Sequence, residues 1–221
     1  MQNPGKCLLS AFQDVQSVFQ IIYLALRDIW DDLWTALVIN LIWTVCVILI
    51  IPGPPATLAL FNYSNRLAHG EIADLADFFT SFNRYWRPAW RWGIINLSLV
   101  SIFIGDIFLI GRSALTSSTI RMVQGFYITA IIICFLVQLY TIPFMLEQEK
   151  PIVRMAFRNS IVMIGKNIPF SVVLGIAIIL ILLFGTFLCM ITFAIGGLLL
   201  ADIGNRAVNN RLQRVSSKMS D

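Results

Sequence analysis

Charge is scarce in this chain: 13% of its 221 residues are Asp, Glu, Lys or Arg, about half the share in a typical soluble domain. A soluble protein of this length needs more charged residues to cover its surface, so this low charge content argues against a soluble protein. Hydrophobic residues make up 58% of the sequence, and the mean hydropathy is +0.80. Because lipid solvates apolar outer faces, the composition predicts an integral membrane protein.

Residues that carry catalysis or bind metals are also scarce. The single histidine, His69, lies in a polar turn without a partner at catalytic or metal-ligand spacing. The four cysteines are not spaced as a metal knuckle or a redox pair. The chain has no Gly-rich phosphate loop with a lysine, no nucleophile elbow and no HExxH motif. We therefore expect a protein that is not an enzyme and that binds no cofactor and no metal.

Long apolar stretches predict an all-α fold, a polytopic transmembrane helical bundle of about six spans. The last stretch, Ile168 to Ala201, would measure about 51 Å as one helix, whereas the hydrocarbon core is about 30 Å thick. It should therefore break into two helices, and Gly185, Gly196 and Gly197 offer weak points. The predicted spans are 34–51, 53–67, 92–111, 123–146, 168–190 and 191–203.

Basic residues set the orientation of these spans, because cytoplasmic segments carry an excess of Lys and Arg. With both termini in the cytoplasm, 14 of the 16 basic residues fall in inner segments, and only Arg112 and Arg121 lie outside. This predicts a multi-pass protein of the inner (plasma) membrane with a cytoplasmic tail at 206–221. Four full spans plus two short helices, 53–67 and 191–203, that return to the inner face are the alternative. The net charge of +4 then reflects topology, so we expect no nucleic-acid partner.

Three segments between the spans carry an apolar stripe on one helical face. They lie at about 10–30, 72–88 and 151–165, and each precedes a span. We interpret them as amphipathic interfacial helices on the cytoplasmic side, in contact with lipid; caps packed under the bundle are the alternative. Tryptophans cluster at headgroup depth, where these helices meet the spans: Trp34, Trp86, Trp90 and Trp92.

The turn Pro52-Gly53-Pro54-Pro55 separates the first two spans. Proline lacks an N–H, so a helix cannot continue through the turn, whereas the last two prolines suit the first turn of the next helix. Two short apolar segments end alike, LALFNYSNR at Arg66 and LLLADIGNR at Arg206. We predict that both arginines are interface anchors, reaching phosphate headgroups or bridging helix C-termini.

Four polar side chains inside predicted spans are candidates for an intramembrane site: Asp106, Asn40, Asn96 and Gln138. A charge in hydrocarbon is costly, so Asp106 is a functional hypothesis by default, for a cation, a proton or a polar substrate. Snorkelling to the outer end or pairing with Arg112 is the alternative. Asn40 and Asn96 occupy equivalent places in a repeated W-x-x-x-[VI]-I-N-L pattern, which suggests that their two spans meet near the inner half of the bundle.

Several segments together carry a family resemblance: Asn40 to Trp43, the turn PGPPATLAL at 52–60, and the run from Gly70 to Phe79 followed by Phe82. On these segments the chain resembles the YesL family of bacterial membrane proteins, over about residues 20–210. The resemblance implies a six-helix membrane protein linked to carbohydrate import, because such proteins are often encoded beside sugar ABC transporters and polysaccharide-degrading enzymes. It implies no catalytic residues.

The sequence leaves three functions open. The leading expectation is an accessory or regulatory component associated with carbohydrate uptake, in which the partners are the lipid bilayer and the permease or ATPase of a sugar ABC transporter. An autonomous small-solute transporter or channel built around Asp106 is the second. A membrane-surface scaffold that anchors its interfacial helices on anionic lipid is the third. A homo-oligomer is compatible with each of them.

Overall fold

The structure is a computed structural model that describes residues 4–111, 117–187 and 189–220. All the secondary structure in this part of the chain is helical, and no strand occurs there. In chain order the helices are α1 (Pro4–Asp31), α2 (Leu33–Ile48), α3 (Gly53–Ala68), α4 (Leu75–Arg84), α5 (Trp86–Gly111), α6 (Ser117–Leu146), α7 (Val153–Lys166), α8 (Ile168–Phe187) and α9 (Cys189–Ser220).

Helix α3 lies at the centre of the structure, in contact with α2, α4, α5, α6 and α9. The predicted proline turn sets its start. Ile50 adopts a left-handed φ of 63° after the end of α2, and prolines occupy the first turn of α3. The Trp43 indole then donates a hydrogen bond to Thr57 Oγ1 at 3.1 Å, which ties α2 to α3 across the turn.

The interfacial helix predicted at 72–88 is two helices in the structure. Asp74 and Asp77 form a capping box, in which each carboxylate accepts from the other residue's backbone N–H at 3.0 Å. Helix α4 starts there and ends at Arg84, and α5 begins at Trp86 and continues through the third predicted span. The apolar stripe runs on across this break, so periodicity alone does not reveal it.

Sharp bends follow α1 and α7. The helix axis turns by 99° between α1 and α2, and by 103° between α7 and α8. Asp32 marks the first bend, because its side chain accepts from the backbone N–H of Thr35 at 3.3 Å and caps α2. In both pairs an amphipathic helix leads into a more apolar one, which is the order expected of an interfacial helix before a span.

Within the apolar stretch 168–201 the structure describes α8 and α9, and residue 188 between them lies outside the described residues, so the predicted division of this stretch stays a prediction. Gly197 lies inside α9. Helix α9 also continues to Ser220, so the cytoplasmic tail predicted at 206–221 is a helical extension up to that residue. The extension is ordered by packing on α1, where Arg211 forms an ion pair with Asp14 at 2.7 Å.

Among the described residues, one helical segment is by itself long and apolar enough to cross a membrane, Ser118–Leu146 of α6. Counting each of the two bent helix pairs as one span raises the number to three. The six spans predicted from the sequence are therefore not confirmed. Helices α2 and α3 have 16 residues each and so measure about 24 Å, less than the hydrocarbon thickness of about 30 Å.

Burial divides α6 into two parts. Residues 118–135 are exposed or half-buried, whereas residues 136–145, apart from Gln138, are buried among the neighbouring helices. The described side chains of α5 from Ile94 to Leu109 are likewise exposed or half-buried. Both helices therefore have a segment outside the packed core. Apolar helices with little burial on any face are typical of segments that lipid solvates.

Gly197 permits the closest approach of α9 to α2. A methyl group there would lie 2.5 Å from the Trp43 ring and 2.8 Å from Asn40 Oδ1. We expect Gly197→Ala to lower the thermal midpoint in detergent, by the equivalent of about 1–3 kcal/mol for an overpacked core. The matched control is Gly125→Ala, where nothing lies within 4 Å of the added methyl group; equal midpoints for the two variants would contradict this packing.

Candidate functional site

Two tryptophans line a small cavity where α2, α3, α5, α6 and α9 meet. The cavity has a volume of about 150 Å³, and its lining includes Trp43, Phe61, Trp92, Gln138 and Gly197. The Trp92 indole N–H donates to Gln138 Oε1 at 2.8 Å, and the Trp43 indole N–H donates to Thr57 Oγ1 on α3. Because both indole donors are engaged, the cavity presents aromatic faces rather than free hydrogen-bonding groups.

Asn40 joins α2 to α9 beside this cavity. Its side chain is fully buried, and its Oδ1 accepts from the backbone N–H of Leu198 at 3.1 Å. Asn96, in contrast, donates to the carbonyl of Trp92 in its own helix at 2.9 Å. The two asparagines were expected to mark spans that meet, but they bond to different partners. The repeated sequence pattern around the two asparagines therefore did not predict their hydrogen-bond partners.

Asp106 binds within the protein, at the far end of α5 from the cavity. Its carboxylate accepts from the Tyr127 hydroxyl at 2.8 Å, which joins α5 to α6. Phe103 packs edge-on against the same tyrosine, with ring centroids 6.2 Å apart. The alternative partner, Arg112, lies outside the described residues. About 21 Å of helix separates Asp106 from Trp92, so the four polar candidates do not form one site.

A buried polar cluster between α1, α3 and α9 contains the predicted anchor Arg206. Arg206 Nε donates to Asp202 at 2.9 Å, and its Nη2 contacts Asp28 on α1. Asp202 is 1% exposed and accepts from the Ser64 hydroxyl at 3.1 Å. Asn205 donates to the same hydroxyl and to the α3 backbone. Arg206 is thus an internal ion-pair partner and not a lipid anchor, because carboxylates surround its guanidinium.

Arg66 is also paired inside the protein. It donates to Glu71 at 3.0 Å and to the carbonyl of Ile72 at 3.2 Å, and it contacts Asp77. These bonds hold the turn between α3 and α4, so the Arg66 side chain binds within the protein. The pKa of Asp77 is lowered, first by the bond from the Asp74 backbone N–H and then by Arg66.

The tryptophans predicted as interface anchors divide into two kinds. Trp34 is 80% exposed and Trp86 is 38% exposed, and for these two the interface role stays a prediction. Trp90 and Trp92 are half-buried, and Trp92 turns towards α6.

Sequence reasoning missed Asp202, Asp28 and Ser64. Asp202 lies inside the LLLADIGNR segment, which was singled out only for its final arginine. The matching ends of the two apolar segments were a usable signal, because α3 and α9 pack against each other there. Within the described residues no group of three or more His, Cys, Asp and Glu side chains is placed to hold a metal ion.

The described part of the chain is all-helical, and at least one of its helices is long and apolar enough to span a membrane. A family model described as "Protein of unknown function, DUF624" matches residues 36–107, so a DUF624 family domain is found there. The match covers most of α2, all of α3 and α4, and most of α5. DUF624 is the family to which YesL proteins belong, in agreement with the resemblance over this segment. No curated protein and no solved structure matches the chain.

Removing Arg206 leaves Asp202 buried without its cationic partner. We expect Arg206→Gln to destabilise the protein by about 3–5 kcal/mol, measured as a fall in thermal midpoint in detergent. Asp202→Asn combined with Arg206→Gln should recover part of this loss, because no uncompensated charge remains. The control is Arg27→Gln, whose pair with Asp31 is 62% exposed on both sides and is worth at most about 1 kcal/mol. If Arg206→Gln lowered the thermal midpoint no more than the control, the buried ion pair would contribute no more to stability than an exposed one.

The lowered pKa of Asp77 makes its contribution to stability depend on pH. A group with a depressed folded pKa stabilises above its unfolded pKa, here 3.8, and loses that contribution as pH falls through the folded value. We expect Asp77→Asn to be less stable than the wild type at pH 7, by less than about 1 kcal/mol because the pair is partly exposed. The difference in thermal midpoint should shrink below pH 4. A difference that is constant from pH 7 to pH 3 would be inconsistent with this assignment.

Proposed function

We propose that the protein is an accessory or regulatory component of carbohydrate uptake in the bacterial plasma membrane, without enzymatic activity of its own. The link to carbohydrate comes from the resemblance to YesL proteins, and the DUF624 domain at residues 36–107 supports that resemblance. The proposal extends YesL-like character to the whole chain. It includes a six-span topology with both termini in the cytoplasm, which the distribution of basic residues favours.

One observation carries the choice of an accessory role over a transport pathway. Three polar side chains in the apolar helices form hydrogen bonds within the protein: Asn40 with Leu198, Gln138 with Trp92, and Asp106 with Tyr127. The two cavities beside Gln138 are lined mainly by apolar groups. A hydrophilic solute needs a series of polar partners to replace its water, and neither cavity offers one. Helix-to-helix bonding of this kind supports a rigid body that acts through its partners.

Complementation of a deletion strain tests this role. We expect loss of uptake of at least one sugar on deletion, and full recovery with both the wild type and Asp106→Asn, because the described bond of Asp106 is a contact within the protein, with Tyr127. Affinity purification in mild detergent should recover a sugar ABC permease or ATPase in near-equal amount. Unchanged uptake of every sugar tested would refute the role. Failure of Asp106→Asn at normal membrane levels would instead favour an autonomous transporter.

A further inference from the structure

Two carboxyl groups from different helices meet one guanidinium group in the buried cluster between α1, α3 and α9. Arg206 Nε donates to Asp202 Oδ2 at 2.9 Å, and Arg206 Nη2 contacts Asp28 Oδ2 as an ion pair. These two nitrogens form one edge of the guanidinium, and the paired N–H donors of such an edge commonly bind both oxygens of a single carboxylate. Here two carboxyl groups share the edge, so Asp28 and Asp202 lie beside each other.

The charge at this edge is unbalanced when both carboxyl groups are ionised, because two carboxylates then face one guanidinium. Arg206 is the cation in every ion pair that either carboxylate forms with a described residue. Burial lowers the pKa of Arg206, and repulsion from Arg27 on α1 lowers it further. Arg27 does not neutralise the pair, because it binds Asp31 at 3.5 Å on the exposed side of α1. One negative charge is left over.

The helices packed around the cluster do not correct this imbalance. Helices α2 and α8 both contact α9, and neither contains a charged side chain. Arg121, the cation of α6, lies about 27 Å along its helix from Leu139, which approaches α9 at Gly204. The other described arginines nearest the cluster in α3 and α9 bind other carboxylates: Arg66 binds Glu71 and Asp77, and Arg211 binds Asp14.

The hydrogen bonds of the cluster lack a donor as well. Ser64 Oγ accepts from Asn205 Nδ2 and donates to Asp202 Oδ1, both at 3.1 Å, so its one proton is used. Two buried oxygens then accept no hydrogen bond from the described part of the chain, Asp28 Oδ2 and Asn205 Oδ1. Asn205 is 2% exposed, so water does not compensate for the missing donor. One bound proton would reduce both the excess charge and the excess of acceptors, since a carboxylic acid O–H donates.

We propose that Asp28 and Asp202 bind one proton between them in the folded protein at neutral pH, so that the docking of α1 on α9 depends on proton concentration. Two ionised carboxylates that share a site repel each other, and one of them therefore keeps its proton. The proton belongs to the pair rather than to either residue. Its release at alkaline pH leaves two negative charges at one edge, and their repulsion acts between α1 and α9. The site is independent of any role in sugar uptake.

Infrared spectroscopy of the full chain in mild detergent tests the site, because a carboxylic acid and a carboxylate absorb at different frequencies. Ordinary Asp and Glu side chains are ionised at about pH 7.5. All spectra are taken with Asp106→Asn in the background, so that the carboxyl group inside α5 adds no band. We expect about one protonated carboxyl group per chain, lost as the pH rises. Either Asp28→Asn or Asp202→Asn should remove the band, since the remaining carboxylate then has Arg206 to itself.

Thermal midpoints give a second readout, with Asp31→Asn as the matched control. Asp31 lies one turn from Asp28 on α1 and is exposed, so its substitution should leave the infrared band unchanged. A carboxyl group that is protonated only in the folded state stabilises the protein at low pH, and this contribution is lost as the pH rises through its folded pKa. Between about pH 6 and about pH 9 the background protein and the control should therefore lose more of their midpoint than Asp28→Asn. Gel filtration verifies that each variant is folded.

Three results would overturn the proposal. The absence of a carboxylic acid band at about pH 7.5 would mean that both carboxyl groups are ionised, and a midpoint raised by Na⁺ would then assign the edge to a metal cation. A band that survives Asp28→Asn would assign the proton to Asp202 alone. A midpoint that falls with pH as steeply in Asp28→Asn as in the control would separate the docking of α1 from the titration of this pair.

Discussion

The contact between α3 and α9 is the constraint on which the rest of the structure depends. Asp202 and Arg206 of α9 form an ion pair that Ser64 of α3 and Asp28 of α1 complete. Removing such charges from water costs several kcal/mol per ion, so the pair adds little net stability. It does specify the register, because a shift of α9 would separate Asp202 from Ser64 on α3 and Arg206 from Asp28 on α1. The helices that contact α9 (α1, α2, α3, α6 and α8) are positioned by that register.

Close packing extends the same constraint towards the cavity. The absence of a side chain at Gly197 lets α9 approach Trp43, and Asn40 then accepts from the neighbouring backbone N–H. Two turns away, Gly204 lies so close to α6 that a methyl group there would be 3.1 Å from the Leu139 carbonyl oxygen. Small residues thus set the distances between helices, and polar side chains set their register. Towards the exposed ends of α5 and α6, the described contacts that join the two helices are the bond from Tyr127 to Asp106 and the ring contact of Phe103 with Tyr127.

Features that depend on local chemistry were predictable from the sequence. The helical class and the proline turn before α3 follow from composition and proline geometry. The pairing of polar residues was not predictable, since an arginine at the end of an apolar segment looks the same whether it meets a phosphate or a buried aspartate. For this reason Arg66 and Arg206 were both expected at phosphate headgroups or at helix C-termini. Asn40 and Asn96 share a motif, but Asn40 accepts a bond from α9 whereas Asn96 donates to a carbonyl of its own helix.

The described arginines fall into two groups, those of α1, α3 and α9 with carboxylate partners and those of α5 and α7 without them. Carboxylates are placed where α1, α3 and α9 need charges neutralised, as Asp14, Asp28 and Asp202 show. On α5 and α7 the described arginines lack such partners, although pairing with nearby Asp or Glu would be simple to encode at helical spacing. A surface of unpaired cations self-repels in water, so it costs stability unless something anionic covers it. Anionic lipid would supply such a cover, since apolar side chains on the same helices are exposed.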